Sequence, residues 1–289
     1  MESSTDKKYP AKLLLIGEYS VLYGSKALAV PIDKFFVQWI QDKGSHSHHE
    51  LIQWLEYLFT HKSEFHYLNL EKLKTDINGG RSLYSTIPTG YGLGSSGAVC
   101  AAILDQYKID ECSIEETHRQ LILLENYFHK KSSGIDPLIS YYQSPMIIED
   151  RPILLDKSYM AQLKNYNLFL IDSNVKRKTS EFVELFKTKM SDPIFSESYT
   201  QNIIALNNSL IDFFIDNQCF KFSETWKELS TLSTYYYREM ITSEIEKIWK
   251  PLFLKNNYLK INGAGGGGYY TLLCENQSFI DFPFSKMSI

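Results

Sequence analysis

The amino-acid sequence predicts an α+β fold, and three stretches with different patterns carry that prediction. Residues 11–17 form an apolar run with a single lysine, which is typical of a buried strand. Residues 95–107 are small and apolar and follow a glycine-rich loop, which indicates a helix. Residues 258–261 and 269–273 are apolar runs on either side of a glycine cluster, which favours two strands joined by a turn. The two kinds of element alternate irregularly, as in the α+β class.

Weaker patterns assign the other elements. β-branched and aromatic residues over 27–40 predict further strands, and the apolar run 168–171 predicts a short one. The polar stretch 43–50 is predicted to be a loop. Its three clustered histidines could bind metal, but no second ligand cluster at zinc-like spacing follows them. Apolar residues at helical spacing predict helices over residues 51–59, 114–128, 203–215 and 222–248.

An interruption of these patterns near residues 155–165 predicts a domain boundary. The dipeptide Arg151-Pro152 and the polar residues 156–158 separate the apolar stretches on either side. The chain is long enough for one large domain or two moderate ones. We therefore expect an N-terminal domain over residues 1–160 and a C-terminal domain over residues 161–289.

Composition excludes several classes of function. The net charge is -4, and a nucleic-acid binder usually carries a basic bias or basic blocks instead. The short basic run at residues 176–178 is predicted to be a solvated loop. No run of roughly 18 apolar residues is present, so no membrane span is expected.

The ends and the cysteines indicate a compartment. Residues 1–10 are polar and charged and lack the apolar core of a signal peptide. The four cysteines are scattered and form no C-x-x-C pair, which fits reduced thiols in a reducing compartment. We therefore expect a cytoplasmic protein without nucleic-acid or membrane partners, and the sequence predicts no particular oligomeric state.

The strongest local signal is a glycine-rich loop at residues 88–98. Gly90, Gly92 and Gly94 allow tight turns and close approach to a ligand, and Ser95 and Ser96 then open a helix. The first amides of a helix have no internal partner and suit a phosphate group. The loop matches neither a Walker P-loop nor a dinucleotide loop. Taken alone, the pattern fits a structural turn as well as a phosphate site.

A second glycine cluster occupies residues 262–268. Its four consecutive glycines remove every side chain from a turn that a plain hairpin would make with one or two. We therefore expect something to approach this backbone closely, and the apolar flanks weaken the alternative of a flexible linker.

Three charged residues are candidates for a phosphoryl-transfer site. Lys12 interrupts an apolar strand, where a charge is costly unless it is paired or bound to a ligand. Glu125 lies in an apolar-rich helix, where it could bind metal or contact a neighbour. Asp136 could act on an acceptor hydroxyl or simply cap a helix beginning at Pro137. No one of the three is decisive by itself.

Together these features resemble the three-motif pattern of the GHMP kinases, a superfamily that includes galactokinase, homoserine kinase, mevalonate kinase and phosphomevalonate kinase. Residues 11–24, 90–98 and 263–268 resemble its first, second and third motifs, in the family's order and across nearly the whole chain. The match tightens for the mevalonate kinase branch, whose helix glutamate and following motif recur here at the same spacing. The matching positions are Glu125, His129, Ser133, Gly134 and Asp136.

The resemblance implies a kinase that uses ATP and Mg²⁺, with Lys12 and Asp136 as the catalytic pair and Ser96 and Glu125 as Mg²⁺ ligands. The residues implied to hold ATP are Pro88, Gly90, Gly92, Leu93, Gly94, Ser95, Ser96 and Gly97. Those implied to bind the small-molecule acceptor are Glu18, Ser20, His129, Ser133, Gly134, Gly265 and Gly266. The implied fold is an N-terminal domain like ribosomal protein S5 domain 2, followed by a ferredoxin-like domain.

Departures from the branch pattern leave the acceptor open. Tyr19 replaces the usual histidine, and Gly97 the usual alanine. Lys130, Ser132 and Pro137 replace a glycine, a proline and an asparagine. Mevalonate is the expected acceptor. The alternatives are phosphomevalonate, which Arg81, Lys130 and Lys131 could help to neutralise, and a ligand sensor of the same fold without turnover.

Overall fold

The computed structural model describes residues 7–44, 46–129, 131–177, 179–275 and 284–289. The chain forms two compact units, each assembled from separate segments. Unit 1 comprises Met1–Lys12, Pro31–Pro88 and Leu93–Gln143, and unit 2 comprises Leu13–Val30, Thr89–Gly92 and Ser144–Ile289. The expected domain division at residue 160 stays a prediction.

Strands and helices are mixed irregularly along the chain. The strands are β1 (Lys8–Ile16), β2 (Ala27–Gln41), β3 (Arg81–Ser85), β4 (Met146–Ile148), β5 (Pro152–Leu154), β6 (Leu168–Asp172), β7 (Asn257–Ile261), β8 (Tyr269–Cys274) and β9 (Lys286–Ser288). The longer helices are α1 (His46–Thr60), α2 (Leu70–Asn78), α3 (Ser95–Tyr107), α4 (Ile114–Glu125), α5 (Ile135–Tyr142), α6 (Ser158–Leu163), α7 (Thr179–Met190), α8 (Pro193–Tyr199), α9 (Ala205–Ile215), α10 (Cys219–Tyr236) and α11 (Ser243–Phe253). Short 3-10 helices occur at Ser20–Tyr23 and Arg238–Met240, and a π-helical turn at Thr200–Ile204.

One sheet has the strand order β1-β2-β4-β5, and β3 also pairs with β2. Within unit 1, the end of β2 pairs antiparallel with β3, so that Val37 lies opposite Ser85. Within unit 2, the beginning of β2 pairs antiparallel with β4, so that Ala29 lies opposite Met146. None of the described helices is long and apolar enough to cross a bilayer.

Close packing between α3 and α5 organises unit 1. A Cβ on Gly97 would lie 2.6 Å from the backbone nitrogen of Pro137, so these helices approach at a distance that only glycine permits. Ala98, Ala101 and Ala102 continue the small-residue surface of α3 and are fully buried. The predicted helix at residues 95–107 is confirmed with the same bounds.

Unit 2 is built on a second sheet with the strand order β7-β8-β6-β9. Every residue of β7 and β8 is buried, in agreement with their predicted apolar runs. Trp226 of α10 is also buried, and its indole nitrogen donates a hydrogen bond of 3.0 Å to the Tyr258 carbonyl. The predicted strand, glycine turn and strand at residues 258–273 are therefore confirmed.

Several expectations about individual elements are wrong. The stretch 43–50 is not all loop, because α1 begins at His46, where a His46–Glu50 contact of 3.3 Å links successive helical turns. The stretch 27–40 forms one long strand rather than several. The expected helix over 222–248 is broken at Arg238–Met240, where the Met240 carbonyl accepts a hydrogen bond from the Gly266 amide instead of continuing a helix.

Candidate active site

A lysine and an aspartate form an ion pair in unit 1. Lys12 Nζ lies 2.7 Å from Asp136 Oδ1, with 12% and 32% of the two side chains exposed. The Lys12 amide also donates to the Leu93 carbonyl at 2.8 Å, which ties β1 to the loop before α3. The charge in the apolar strand is therefore paired, as its position in the sequence required.

Asp136 lies in the first turn of α5, where a helix favours negative charge. The helix begins at Ile135 rather than at Pro137, so the alternative that Asp136 merely caps it is wrong. Gly134 occupies the cap position at φ +69°, and a Cβ there would lie 2.5 Å from Ile122 Cγ1. Glycine is therefore required at position 134, in the turn immediately before the helix that contains Asp136.

Glu125, the last residue of α4, is only 4% exposed. Its Oε1 accepts a hydrogen bond of 3.3 Å from the Ser96 hydroxyl, and its Oε2 accepts one from the Ser132 hydroxyl. Burial, and secondarily the charge of Asp136, raises the pKa of Glu125 to about 7. A nearby cation would therefore stabilise the ionised form of Glu125.

Glu125 and Ser96 fit a Mg²⁺ site in which the protein supplies few ligands and phosphate oxygens supply others. Among the described residues, no group of three or more His, Cys, Asp or Glu side chains could hold a metal ion. Protein Mg²⁺ sites in phosphoryl-transfer enzymes commonly use one or two carboxylates together with phosphate oxygens and water. A buried carboxylate beside a serine hydroxyl suits such a site, completed by phosphate oxygens.

The start of α3 contributes backbone donors that have no partner within the helix. Gly94 precedes the helix in the left-handed conformation at φ +72°, and the Ala98 amide is the first to bond back, at 2.9 Å to the Gly94 carbonyl. The first turn of α3 therefore has three amides, those of Ser95, Ser96 and Gly97, that have no partner within the helix and could bind an anion. His129 Nε2 lies 3.2 Å from Ser96 Oγ.

Unit 1 thus brings together five of the predicted site residues: Lys12, Ser96, Glu125, His129 and Asp136. Ser133 and Gly134 lie in the turn leading to Asp136. Ser132 was not among the predicted site residues, because its contact with Glu125 depends on a side-chain orientation that no motif specifies. The roles in holding ATP stay predictions for all eight assigned residues, namely Pro88, Gly90, Gly92, Leu93, Gly94, Ser95, Ser96 and Gly97.

In unit 2, Arg177 packs against the first glycines of the glycine-rich loop at residues 88–98. Its amide donates to the Gly90 carbonyl at 3.0 Å, and its guanidinium donates to the Asn262 carbonyl at 2.8 Å. A Cβ on Gly92 would overlap the guanidinium at 1.3 Å. The prediction of a solvated basic loop is therefore wrong for Arg177 and right for the exposed Lys176, while Lys178 lies outside the described residues.

The chain's own atoms approach the second glycine cluster closely. Gly263 and residues 265–268 all have positive φ angles. A Cβ on Gly265 would lie 2.6 Å from the Met240 carbonyl oxygen, and one on Gly267 would lie 2.5 Å from that of Val175. The expectation of a close approach is confirmed, and these contacts account for it without a ligand. Acceptor binding by Gly265 and Gly266 stays a prediction.

A buried ion pair lies beside this cluster in unit 2. Glu18 and Lys260 contact each other and are 3% and 1% exposed. Burial raises the pKa of Glu18 and lowers that of Lys260. Lys260 was not predicted, although a lone lysine in an apolar strand is the same signal that identified Lys12. Ser20 is fully buried and accepts from Asn207 Nδ2 at 2.7 Å, so acceptor binding by Glu18 and Ser20 stays a prediction.

Two long-range side chains hold the start of the second glycine cluster. Arg177 donates to the Asn262 carbonyl at 2.8 Å, and Tyr19 Oη donates to the Ala264 carbonyl at 2.6 Å. Tyr19 has a φ of +57°, which is rare for a bulky side chain. The same contacts that fix the start of the glycine turn therefore hold Tyr19 in this strained backbone conformation.

Parts of the chain are similar to known proteins. Residues 61–144 match the family described as "GHMP kinases N terminal domain". The mevalonate kinase of Thermococcus onnurineus is 32% identical over 160 residues, covering 45% of this chain and 47% of that protein. The chain spans less than half the length of each curated relative that it matches.

Solved structures share the fold. The Methanococcus jannaschii mevalonate kinase aligns with a TM-score of 0.65 at 18% identity, covering 99% of this chain and 98% of that one. The Streptococcus pneumoniae phosphomevalonate kinase in complex with phosphomevalonate and AMPPNP aligns with a TM-score of 0.64 at 14% identity, covering 98% and 99%. The predicted α+β fold is confirmed.

Proposed function

We propose, on the premise that this chain is a relative of the GHMP kinases, that it transfers the γ-phosphoryl group of ATP to the hydroxyl of a small acceptor, with mevalonate as that acceptor. The observation that carries the proposal is in unit 1: the Lys12–Asp136 ion pair, with Glu125 at the end of α4 and Ser96 at the start of α3 beside it. Phosphoryl transfer depends on positioning, positive charge and often a base for the acceptor hydroxyl. These residues supply each of those elements.

Each residue has a distinct role in the proposal. Asp136 orients the acceptor hydroxyl and accepts its proton, and Lys12 adds positive charge 2.7 Å away. The amides that lead α3 bind phosphate oxygens. Glu125 and Ser96 would hold Mg²⁺, which neutralises charge on the phosphates when bound.

The contacts of nearby cations favour mevalonate over phosphomevalonate. A phosphorylated acceptor would need cations to neutralise its extra charge. Arg81 Nη1 lies 3.3 Å from Asp76 Oδ2, and its guanidinium lies 4.9 Å from the Trp39 ring, so this cation is engaged elsewhere. Lys131 is exposed, and Lys130 lies outside the described residues. The presence of Lys12, Glu125 and Asp136 together argues against a sensor without turnover.

Steady-state ADP release tests the acceptor. We expect a higher kcat/KM for mevalonate than for phosphomevalonate, measured side by side at saturating Mg²⁺ and ATP. The comparison is repeated with Lys130 and Lys131 both changed to methionine, which should leave the preference unchanged. A preference for phosphomevalonate that disappears in the double variant would exclude mevalonate as the acceptor.

Glu125→Gln should raise the Mg²⁺ concentration needed for half-maximal rate, because a neutral amide is a poorer ligand for a hard cation.

Glu125→Gln should also stabilise the metal-free protein relative to wild type as the pH rises to about 8. A carboxyl whose folded-state pKa is raised from 4.5 to about 7 contributes stability at low pH that is lost as the pH rises through 7. The variant's stability relative to wild type should therefore increase by about 1–3 kcal/mol between about pH 5 and pH 8.

Two measurements check this pair of effects. Activity is titrated with Mg²⁺ at fixed ATP, and unfolding is followed in urea with a chelator present at each pH. Glu56→Gln, on the exposed surface of α1, serves as the control and should change neither quantity. Unchanged Mg²⁺ dependence in the Glu125 variant would remove this residue from the metal site.

A further inference from the structure

Ser132 contacts Glu125, lies between Glu125 and Asp136 in the sequence, and has no role in the mechanism above. Its hydroxyl donates to Glu125 Oε2 and accepts a hydrogen bond of 2.8 Å from the Gly134 amide. Gly134 immediately precedes α5, whose first turn contains Asp136. One side chain thus links the proposed metal-binding carboxylate to the segment that leads into the proposed catalytic carboxylate.

The turn that contains Ser132 is also held by contacts that do not involve this hydroxyl. The Ser132 amide donates to Asn126 Oδ1 at 3.0 Å, and His118 Nε2 lies 2.7 Å from the Ser133 carbonyl oxygen. Gly134 packs directly against Ile122 and His118. Removing the hydroxyl should therefore leave the backbone of the turn in place and act mainly on Glu125.

The two oxygens of Glu125 have different partners. Oε2 bonds to Ser132, while Oε1 accepts the longer bond of 3.3 Å from Ser96. A glutamate side chain has several rotatable bonds, and fixing it in one rotamer costs conformational entropy. A hydrogen bond to one oxygen reduces that freedom and leaves the other oxygen directed at Ser96.

We propose that Ser132 is a positioning residue, whose hydroxyl orients the Glu125 carboxylate so that Oε1 lies beside Ser96. The inference rests on the proposed function, because it requires Glu125 to be a metal ligand. Hydrogen-bond partners of ligating side chains typically change metal affinity or activity by about 10- to 100-fold when they are removed. Ser132 would act in this way without touching the metal, the nucleotide or the acceptor.

The test measures metal binding directly. Affinity for Mn²⁺ is determined by electron paramagnetic resonance, in the presence of a non-hydrolysable ATP analogue, for wild type, Ser132→Ala and Ser132→Thr. We expect Ser132→Ala to bind Mn²⁺ roughly 10-fold more weakly, because Glu125 is no longer oriented. Ser132→Thr keeps the hydroxyl and should return close to the wild-type affinity.

Ser140→Ala provides a matched control on α5. Its buried hydroxyl donates to the Pro10 carbonyl at 2.7 Å, so its loss should lower thermal stability without changing Mn²⁺ affinity. If Ser132→Ala lowers stability but binds Mn²⁺ like Ser140→Ala, the positioning role is overturned. Wild-type protein that binds no Mn²⁺ with the nucleotide would overturn the proposed function as well, so the two failures are distinguishable.

Discussion

Asp136→Asn is expected to lower kcat by roughly 10²-fold or more, because a positioned base contributes about 10²–10⁴-fold to proton transfer. Asparagine has nearly the same shape as aspartate but cannot take the proton from the hydroxyl of the acceptor substrate. The affinity for ATP should hardly change, since the phosphate contacts are assigned to the start of α3. Steady-state ADP release gives kcat, and calorimetry with a non-hydrolysable analogue gives the affinity.

Asp105→Asn is the control for this experiment. Asp105 also pairs with a lysine in unit 1, at 3.0 Å from Lys7 Nζ, but it lies late in α3, away from Asp136 and Glu125. Its substitution should leave kcat within about twofold of wild type. Retention of more than about a third of the wild-type kcat by Asp136→Asn would remove Asp136 from the chemistry.

Lys260→Met is expected to destabilise the protein by about 3–5 kcal/mol, because it leaves Glu18 buried without its partner. The double variant Glu18→Gln/Lys260→Met should regain most of that loss. Removing both charges ends the desolvation penalty that the unpaired, buried carboxylate would carry. Urea unfolding at constant m-value measures the three free energies.

Lys255→Met, at an exposed position just before β7, serves as the control and should change stability by less than about 0.5 kcal/mol. A loss below about 1 kcal/mol in Lys260→Met would show that Glu18 finds another partner or water. A double variant as unstable as the single one would show that the cost comes from repacking around residue 260.

The residues of the candidate site were predictable because their spacing in the chain matches a known motif pattern. The distances between them were not, since Lys12 and Asp136 are far apart in sequence and meet only through the packing of β1, α3 and α5. The motif also gave no reason for glycine at position 97. The structure provides one, because a methyl group there would lie 2.6 Å from the Pro137 nitrogen.

Local patterns failed where a distant contact decided the conformation. The apolar periodicity of residues 222–248 suggested one helix, but the Met240 carbonyl bonds to Gly266, and the chain turns there. Arg177 lies in a basic run typical of a solvated loop, yet it bonds to Asn262 across 85 residues of sequence. Neither partner could be identified from composition or periodicity.

Transfer of labelled phosphate is the most direct test of the central claim. The protein is incubated with Mg²⁺, mevalonate and ATP labelled at the γ-phosphoryl group, and the label is followed into covalent phosphomevalonate. We expect label in the acceptor in equal amount to the ADP formed, with roughly 10²-fold slower transfer in Asp136→Asn. Nucleotide binding without transfer, or label released only as inorganic phosphate, would contradict phosphoryl transfer to an acceptor hydroxyl.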